Sequence, residues 1–328
     1  MRTITGKQGK KVWQFYLPVR KHLNIGILLL LNMFLFASCL DPTLETVVDY
    51  EESFSEISSI AVDAGSLPVH YVGNPDLEEV HLDALLRTNT NADRNIAYRL
   101  VEDKLIVSLE QAGLGRGRLE GHILLTGPVD MSLQLVAGSG EVRAENVRAA
   151  RIHLEVNSGH VRAKDLEAQD LYLAASSGEV LGENLSGNTI ADLSSGRLVL
   201  DQLDGNLEAT SSSGNMKLKH ISGLLHAELS SGNMDMEHVA ALGNVRISSG
   251  KVNGRNIGLC EYTYFKASSG DISIQTNSDL AAFNYDIHTG SGRVKVGESE
   301  SSGTLKIMNG APHTIRGEVN SGKIEIIN

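Results

Sequence analysis

The chain has 328 residues, with 29 lysines and arginines against 40 aspartates and glutamates, and a formal net charge of −11. Residues 1–38 hold six of the basic residues and no acidic one, so the rest of the chain is still more acidic. Nucleic acid selects basic surfaces, and this composition therefore predicts that no nucleic acid is a partner.

An apolar run from Leu23 to Phe36 follows the basic N-terminal segment. It is too short for a comfortable transmembrane helix, which needs about 20 apolar residues. A basic segment, an apolar segment and then the small residues Ala37 and Ser38 are typical of a secretory signal peptide, predicted here over residues 1–38.

Residues 35–39, Leu-Phe-Ala-Ser-Cys, resemble a bacterial lipobox, with Phe36 where leucine is usual. The resemblance implies cleavage before Cys39 and lipidation of that thiol; the alternative is a free cysteine within an uncleaved anchor. Two or more acyl chains hold a protein stably on a membrane. The sequence therefore predicts a lipid-anchored protein of the bacterial cell envelope, at the outer membrane, with either its surface or its periplasmic face left open. Cys260 would then have no intramolecular disulfide partner.

Residues 39–48 are predicted to form a short tether, and residues 49–135 an N-terminal β region that caps the repeats after it. That region is irregular or antiparallel, because short alternating segments are separated by breaks rich in glycine, proline and asparagine. The end of a solenoid needs covering. The predicted strands lie at residues 57–62, 67–72, 80–85, 105–109 and 122–125.

From residue 136 onward a Ser-Gly pair recurs, mostly at intervals of 18 or 19 residues. Self-similarity at a short fixed period is typical of a solenoid. The second residue after each glycine is apolar, and apolar and polar residues then alternate, as in a strand with one buried face. The glycines of the series are Gly140, Gly159, Gly178, Gly196, Gly214, Gly232, Gly250, Gly270, Gly292 and Gly322.

This pattern predicts an all-β, single-domain parallel β-solenoid over residues 136–328, with 18–19 residues per coil. The apolar residues do not recur every sixth position, which excludes the left-handed hexapeptide helix, and the handedness of parallel crossovers favours a right-handed β-helix or β-roll. At each corner we expect glycine at positive φ and the preceding serine facing inward. The extra triplet Ser301 to Gly303 indicates either a shortened coil or a hairpin insertion.

Two outward columns of the repeat carry charged and polar side chains. Acidic and basic residues alternate along one of them, which predicts pairs such as Lys219 with Glu237 that set the register of neighbouring coils. A polar column follows it, in which His220 and His238 lie on adjacent coils. Two imidazoles could share a metal ion, but a site needs further ligands. No metal, cofactor or catalytic residue is predicted.

A lipoprotein signal, a β lead-in and Ser-Ser-Gly repeats such as residues 176–180 and 268–272 resemble the GIN-domain, auto-transporter-like adhesin family of bacterial envelope proteins. Its motifs are structural, so the resemblance carries no catalytic residues over. It implies a non-enzymatic, adhesin-like binding module with an extracellular glycan or protein as the unidentified partner. The alternatives are a sensor subunit of an envelope-stress or signalling system, and a carbohydrate-active β-helix enzyme.

A late aromatic cluster is the best sequence-based candidate for ligand contact. Tyr262 and Tyr264 face outward by strand parity, whereas Phe265 faces the core. An enzyme of the β-helix type needs grouped carboxylates, but acids here are interleaved with bases. The sequence therefore predicts shallow binding of an extended partner, with Tyr262 and Tyr264 as contact residues.

Overall fold

The computed structural model describes residues 43–90, 93–111 and 117–328. The predicted signal peptide and Cys39 lie outside the described residues. Leu44–Asn328 form one unit. Within the described ranges, no helix is both long enough and apolar enough to cross a membrane.

The all-β prediction is confirmed: the described residues form thirteen strands of one sheet and a single 3-10 turn, Leu280–Ala282. The strands are β1 (Glu45–Phe54), β2 (Ser59–Asp63), β3 (Val69–Gly73), β4 (Val80–Thr88), β5 (Arg94–Val101), β6 (Lys104–Gln111), β7 (Leu119–Gly127), β8 (Ser132–Asp204), β9 (Leu207–Thr276), β10 (Asn284–Val296), β11 (Ser299–Ser301), β12 (Thr304–Ile307) and β13 (Thr314–Ile327).

Strands β8 and β9 are very long because each passes through several repeats without leaving the ladder. Where β8 pairs with β9 the register is one repeat: Gly196 lies opposite Gly214, and Leu198 lies opposite Met216. The strands run parallel there. Each repeat is thus one coil of a β-solenoid. The right-handed winding predicted from the sequence stays a prediction.

The core is the inward stack of apolar residues that the repeat predicts. The second residue after each glycine is at most 1% exposed in every coil. No coil could bury this face alone, so each coil depends on its neighbours for stability. The stack is Val142, Val161, Val180, Leu198, Met216, Met234, Val252, Ile272, Val294 and Ile324.

The Ser-Gly corner is only partly as predicted. Gly196 has φ of 132°, and eight other glycines of the series are also at positive φ. The serine, however, does not face inward: Ser194 and Ser195 are both exposed. The parity argument assumed alternation up to the glycine, whereas the strand bends at Ser194, which has no partner in the pairing of β8 with β9, so two successive side chains point to solvent.

A second corner lies six residues after each of the first seven glycines of the series, in the polar column. Its residues adopt left-handed φ values between 51° and 61°. Asparagine, aspartate and histidine tolerate this region better than most residues, which explains the composition of the column. Its members are Asn146, Asp165, Asn184, Gln202, His220, His238 and Asn256.

The N-terminal strands extend the stack. Strands β2 and β3 pair in parallel with β8, and β6 and β7 pair in parallel with β2 and β3. Strands β1, β4 and β5 then add antiparallel pairings, β1 on β4, β4 on β7 and β5 on β6. Strand β1 begins at Glu45, within the segment predicted as a tether.

The C-terminal strands do not stack in the order of the sequence. Strand β13 lies between β9 and β10 and runs parallel to both. Strands β11 and β12 pair antiparallel with β10, so Ser301 to Gly303 belong to a hairpin insertion and not to a coil corner. The coil of Gly322 therefore lies between the coils of Gly270 and Gly292, although Gly322 comes later in the sequence than both.

Candidate functional site

A shallow groove lies on the face formed by the strand segments that precede each Ser-Gly pair. It encloses about 490 Å³ and extends over several successive coils. We term it the groove face: one side is Arg151, Asp170, Asn188, Asn206 and Leu224, the other is His153, Tyr172, Ile190, Glu208 and His226, and the floor is Leu171, Thr189 and Leu207.

The repeat explains why these residues meet. They lie eight, seven and six residues before successive corner glycines, and parallel stacking in register brings equivalent positions about 4.8 Å apart. The floor residues are buried, with Leu171 and Leu207 each 1% exposed. Ile190 on the wall is 45% exposed, which is unusual for a large aliphatic side chain in this chain. A lining that mixes apolar side chains with a few polar ones is ordinary for a ligand site.

One rim of the groove is an amide ladder. Asn206 Nδ2 donates to Asn188 Oδ1 at 3.1 Å, and Asn206 Oδ1 accepts from the backbone N–H of Leu224 at 2.9 Å. These bonds hold the two amides in fixed positions. Fixed amides can donate to and accept from a polar ligand without a large loss of side-chain entropy on binding.

Two aromatic rings form the far wall. The centroids of His153 and Tyr172 are 4.7 Å apart, and His153 Nε2 lies 3.0 Å from a carboxylate oxygen of Glu155. Burial, with the carboxylates of Asp192 and Glu155 contributing, raises the pKa of Tyr172. The phenol is therefore protonated at neutral pH, so it can donate a hydrogen bond at the rim.

The groove continues along the solenoid. A hollow of about 300 Å³ shares Glu208 and His226 with it and adds Asn244 and Arg246. Another, of about 360 Å³, shares Leu224 with it and reaches Tyr262. Together the three form an extended surface and not a closed pocket.

The predicted contact residues Tyr262 and Tyr264 lie at the end of this surface but do not form one site. Tyr262 is 59% exposed and lines the hollow of Leu224 and Phe283. Tyr264 is half-buried, and burial and the nearby Glu318 raise its pKa. It occupies the position six residues before Gly270, the same column as Tyr172 and Ile190. Alignment of the residues six positions before each corner glycine would predict the groove from the sequence. Selection of aromatic residues alone does not predict it.

The strand after each Ser-Gly pair presents a different face, which is charged. A hollow of about 600 Å³ on this charged face is lined by residues such as Arg143, Lys164 and Glu183. The predicted pair is confirmed: Lys219 Nζ lies 2.8 Å from Glu237 Oε2. The hydrogen bond from Lys219 holds the pKa of Glu237 below its usual value. A catalytic acid needs a pKa shifted in the opposite direction.

The paired histidines fit a structural role. The rings of His220 and His238 stack with centroids 5.0 Å apart, and His220 Nδ1 lies 2.7 Å from Asp201 Oδ1. Both residues serve as left-handed corners. In the part of the chain that the structure describes, no three or more His, Cys, Asp or Glu side chains are grouped so that they could hold a metal ion.

The chain is similar in structure to several solved proteins. A candidate adhesin of Bacteroides fragilis is 16% identical, with a TM-score of 0.38 over 88% of this chain and 100% of that one. A candidate adhesin of Parabacteroides merdae is 11% identical, with a TM-score of 0.37 over 87% and 97%. A candidate lipid-binding protein of Parabacteroides distasonis is 13% identical, with a TM-score of 0.33 over 87% and 97%. Similarities this weak carry no functional argument.

No curated protein matches the sequence. The resemblance to GIN-domain adhesins stays a prediction. One family model does match, in two successive segments, residues 121–224 and 222–327, which together span more than half of the chain. This protein belongs to the Toastrack DUF4097 family.

Proposed function

We propose that the protein is a non-enzymatic binding module, adhesin-like in its action, that is held on the bacterial cell envelope by a lipid at Cys39. An extended extracellular glycan or protein lies along the groove face. The resemblance to GIN-domain adhesins belongs to this proposal, as does the role of the N-terminal strands as a cap for the solenoid.

The groove face is the observation that carries the proposal. It offers apolar side chains, fixed amides and a protonated phenol in one continuous strip. A strip that spans many coils suits a long, thin partner, because binding energy can accumulate over several shallow contacts. Its carboxylates, Asp170 and Glu208, are accompanied by Arg151, so the strip has no strong charge of one sign.

The arrangement of acids and bases supports a non-enzymatic role. The pKa values of Glu237 and Asp130 are both lowered, chiefly by hydrogen bonds from Lys219 and Arg148. Groups paired in this way stay ionised near neutral pH. Acid–base catalysis uses pairs of groups whose environments drive their pKa values apart.

The groove can be tested with a double substitution, Tyr172→Ala with Ile190→Ala. We expect binding to the ligand returned by a glycan and matrix-protein array to weaken by at least about tenfold, because both side chains are central in the strip. The measurement is a binding isotherm of each purified protein on the same ligand. Leu181→Ala with Val199→Ala is the matched control, since these aliphatic residues face outward on the charged face. Equal loss in both double variants would refute a groove-specific site.

The tyrosines at the end of the strip can be tested in the same assay. Tyr262→Ala with Tyr264→Ala should weaken binding, and any fall in the melting temperature should come from Tyr264, because Tyr264 is half-buried whereas Tyr262 is largely exposed. The loss should be smaller than that of the groove variant, since the two rings do not share one hollow. Unchanged binding would remove Tyr262 and Tyr264 from the site.

Anchoring has its own test, Cys39→Ala. The substitution should abolish incorporation of a labelled fatty acid and leave the protein unprocessed or released from the membrane fraction, because the proposed lipid is attached to the thiol of Cys39. Fractionation of cells that express each form is the measurement. Normal processing and unchanged membrane retention would contradict lipidation at Cys39.

A further inference from the structure

We infer that two copies of this chain meet head to head through the two outermost strands of the solenoid, β1 and β5. We term the surface that these strands form the N-terminal end. Its occupant is a second copy of the same chain, bound through the same surface. The inference does not depend on the groove face.

Both outermost strands have an edge that no described strand covers. Among the strands that the structure describes, β1 pairs only with β4, and β5 pairs only with β6. The two strands contain ten and eight residues. Each therefore presents a long row of main-chain N–H and C=O groups, and such an edge is a template for a strand of another chain.

The core is incompletely covered at this end. One row of β5 faces the core, and Ile96 of that row is 2% exposed. Tyr98 and Leu100 belong to the same row, yet they are 40% and 52% exposed. Their partners one strand further in, Val107 and Leu105, are fully buried. The apolar row is thus closed inside the solenoid and open at its last strand.

Further apolar side chains surround this opening. Val101 on β5 is 49% exposed, and Val47 on β1 is 47% exposed. Single exposed apolar residues are ordinary. However, four of the seven large apolar side chains that the described residues expose lie on β1 and β5. A concentration of this kind marks an interaction surface.

The two strands hold fixed positions relative to each other. The ring centroid of Tyr98 lies 5.0 Å from that of Phe54 and 5.8 Å from that of Tyr50. The hydroxyl of Tyr50 donates to the backbone oxygen of Ile96 at 3.1 Å. The surface is therefore formed before a partner arrives, which lowers the entropic cost of association.

Charge decides which edges meet. Strand β1 contains four acidic residues and no basic one, whereas β5 contains two arginines and no acidic residue. Two β1 edges would repel each other, but a β1 edge and a β5 edge are complementary. A two-fold axis that runs parallel to the strands, between two such ends, places β1 of each copy over β5 of the other.

One ion pair can be named across this interface. Glu51 and Arg99 both point away from the core, since they alternate with the core-facing Tyr50 and Tyr98. In the part of the chain that the structure describes, Arg99 has no ion-pair partner. Arg99 of each copy is thus available to pair with Glu51 of the other copy, once on each side of the two-fold axis.

Sedimentation of the purified full chain at increasing concentration should show a monomer–dimer equilibrium. Arg99→Glu should raise the dissociation constant of the dimer at least about tenfold, because it places acidic residues on both edges. Adding Glu51→Arg to the same chain should restore the constant to within about threefold, since opposite charges face each other again. Monomers at every concentration, or a loss that Glu51→Arg does not reverse, would overturn the inference.

Two further variants test whether the effect belongs to the N-terminal end. Leu100→Ser should also raise the dissociation constant at least about tenfold, because it removes apolar surface from the opening. Arg316→Glu is the control for Arg99→Glu. It changes an exposed arginine of β13, which lies beyond β9 in the sheet, and should leave the constant unchanged. Equal effects of Arg99→Glu and Arg316→Glu would overturn the inference.

Vesicles of phosphatidylcholine distinguish a second copy from a lipid surface. We expect the wild type and Leu100→Ser to float with the vesicles to the same extent, because the N-terminal end is occupied by the partner copy. Flotation of the wild type as a monomer, reduced in Leu100→Ser, would assign this surface to a membrane and overturn the inference.

Discussion

Gly196→Ala should destabilise the protein by at least about 3 kcal/mol, although it adds only one methyl group. Gly196 has φ of 132°, which L-residues rarely adopt, and a Cβ there would lie 1.8 Å from the backbone oxygen of Gly178 in the preceding coil. The substitution therefore combines a strained backbone conformation with a clash between the new methyl group and the backbone of the preceding coil. The two coils cannot move apart to relieve the clash without breaking the main-chain hydrogen bonds between them.

Denaturant unfolding of the two proteins measures this effect, and Gly303→Ala is the matched control. Gly303 lies in the C-terminal hairpin, and a Cβ there would meet nothing within 4 Å. We expect the control to change the free energy of unfolding by no more than about 0.5 kcal/mol. Similar values for the two substitutions would show that the glycines are not in close contact from coil to coil.

Met216→Asp should cost about 4 kcal/mol or more. The side chain of Met216 is 1% exposed and belongs to the inward stack, opposite Leu198 of the coil before it. A carboxylate there would be buried without a partner, and the apolar contacts of both adjacent coils would be lost as well.

The control for Met216→Asp is the substitution of its neighbour, Asn215→Asp. Asn215 is exposed, and its Oδ1 accepts a hydrogen bond from Asn233, which an aspartate oxygen can also accept. Its effect on the free energy of unfolding should be within about 0.5 kcal/mol. A larger loss from Asn215→Asp than from Met216→Asp would mean that the inward and outward faces were assigned the wrong way round.

The sequence predicts the coils well because the same alternation of apolar and polar residues recurs in every repeat. The apolar residue two positions after each glycine, from Val142 to Ile324, is buried as the alternation requires. The serine at the corner was wrongly placed inward, since alternation indicates a strand but not the residue at which the strand turns. Ser195 shows the difference, because it is exposed beside the buried Leu193.

The ends of the solenoid are harder to predict than its middle. Strand β13 carries the same Ser-Gly pattern as β10, so periodicity alone places both in the stack but does not order them. The order is seen only in the strand pairing, in which Gly322 lies between Gly270 and Gly292. The groove was not predicted for a related reason. Tyr172 and Ile190 are distant in the sequence and are recognised as neighbours only when successive coils are superimposed.

The most direct test of the account is to incubate the purified protein with its array ligand and to measure, on one sample, both the binding isotherm and the mass of the ligand afterwards. We expect saturable binding that is lost in the Tyr172→Ala, Ile190→Ala variant, with ligand of unchanged mass. Shortened or chemically altered ligand would contradict the non-enzymatic role, and undiminished binding by that variant would contradict the groove face as the binding site.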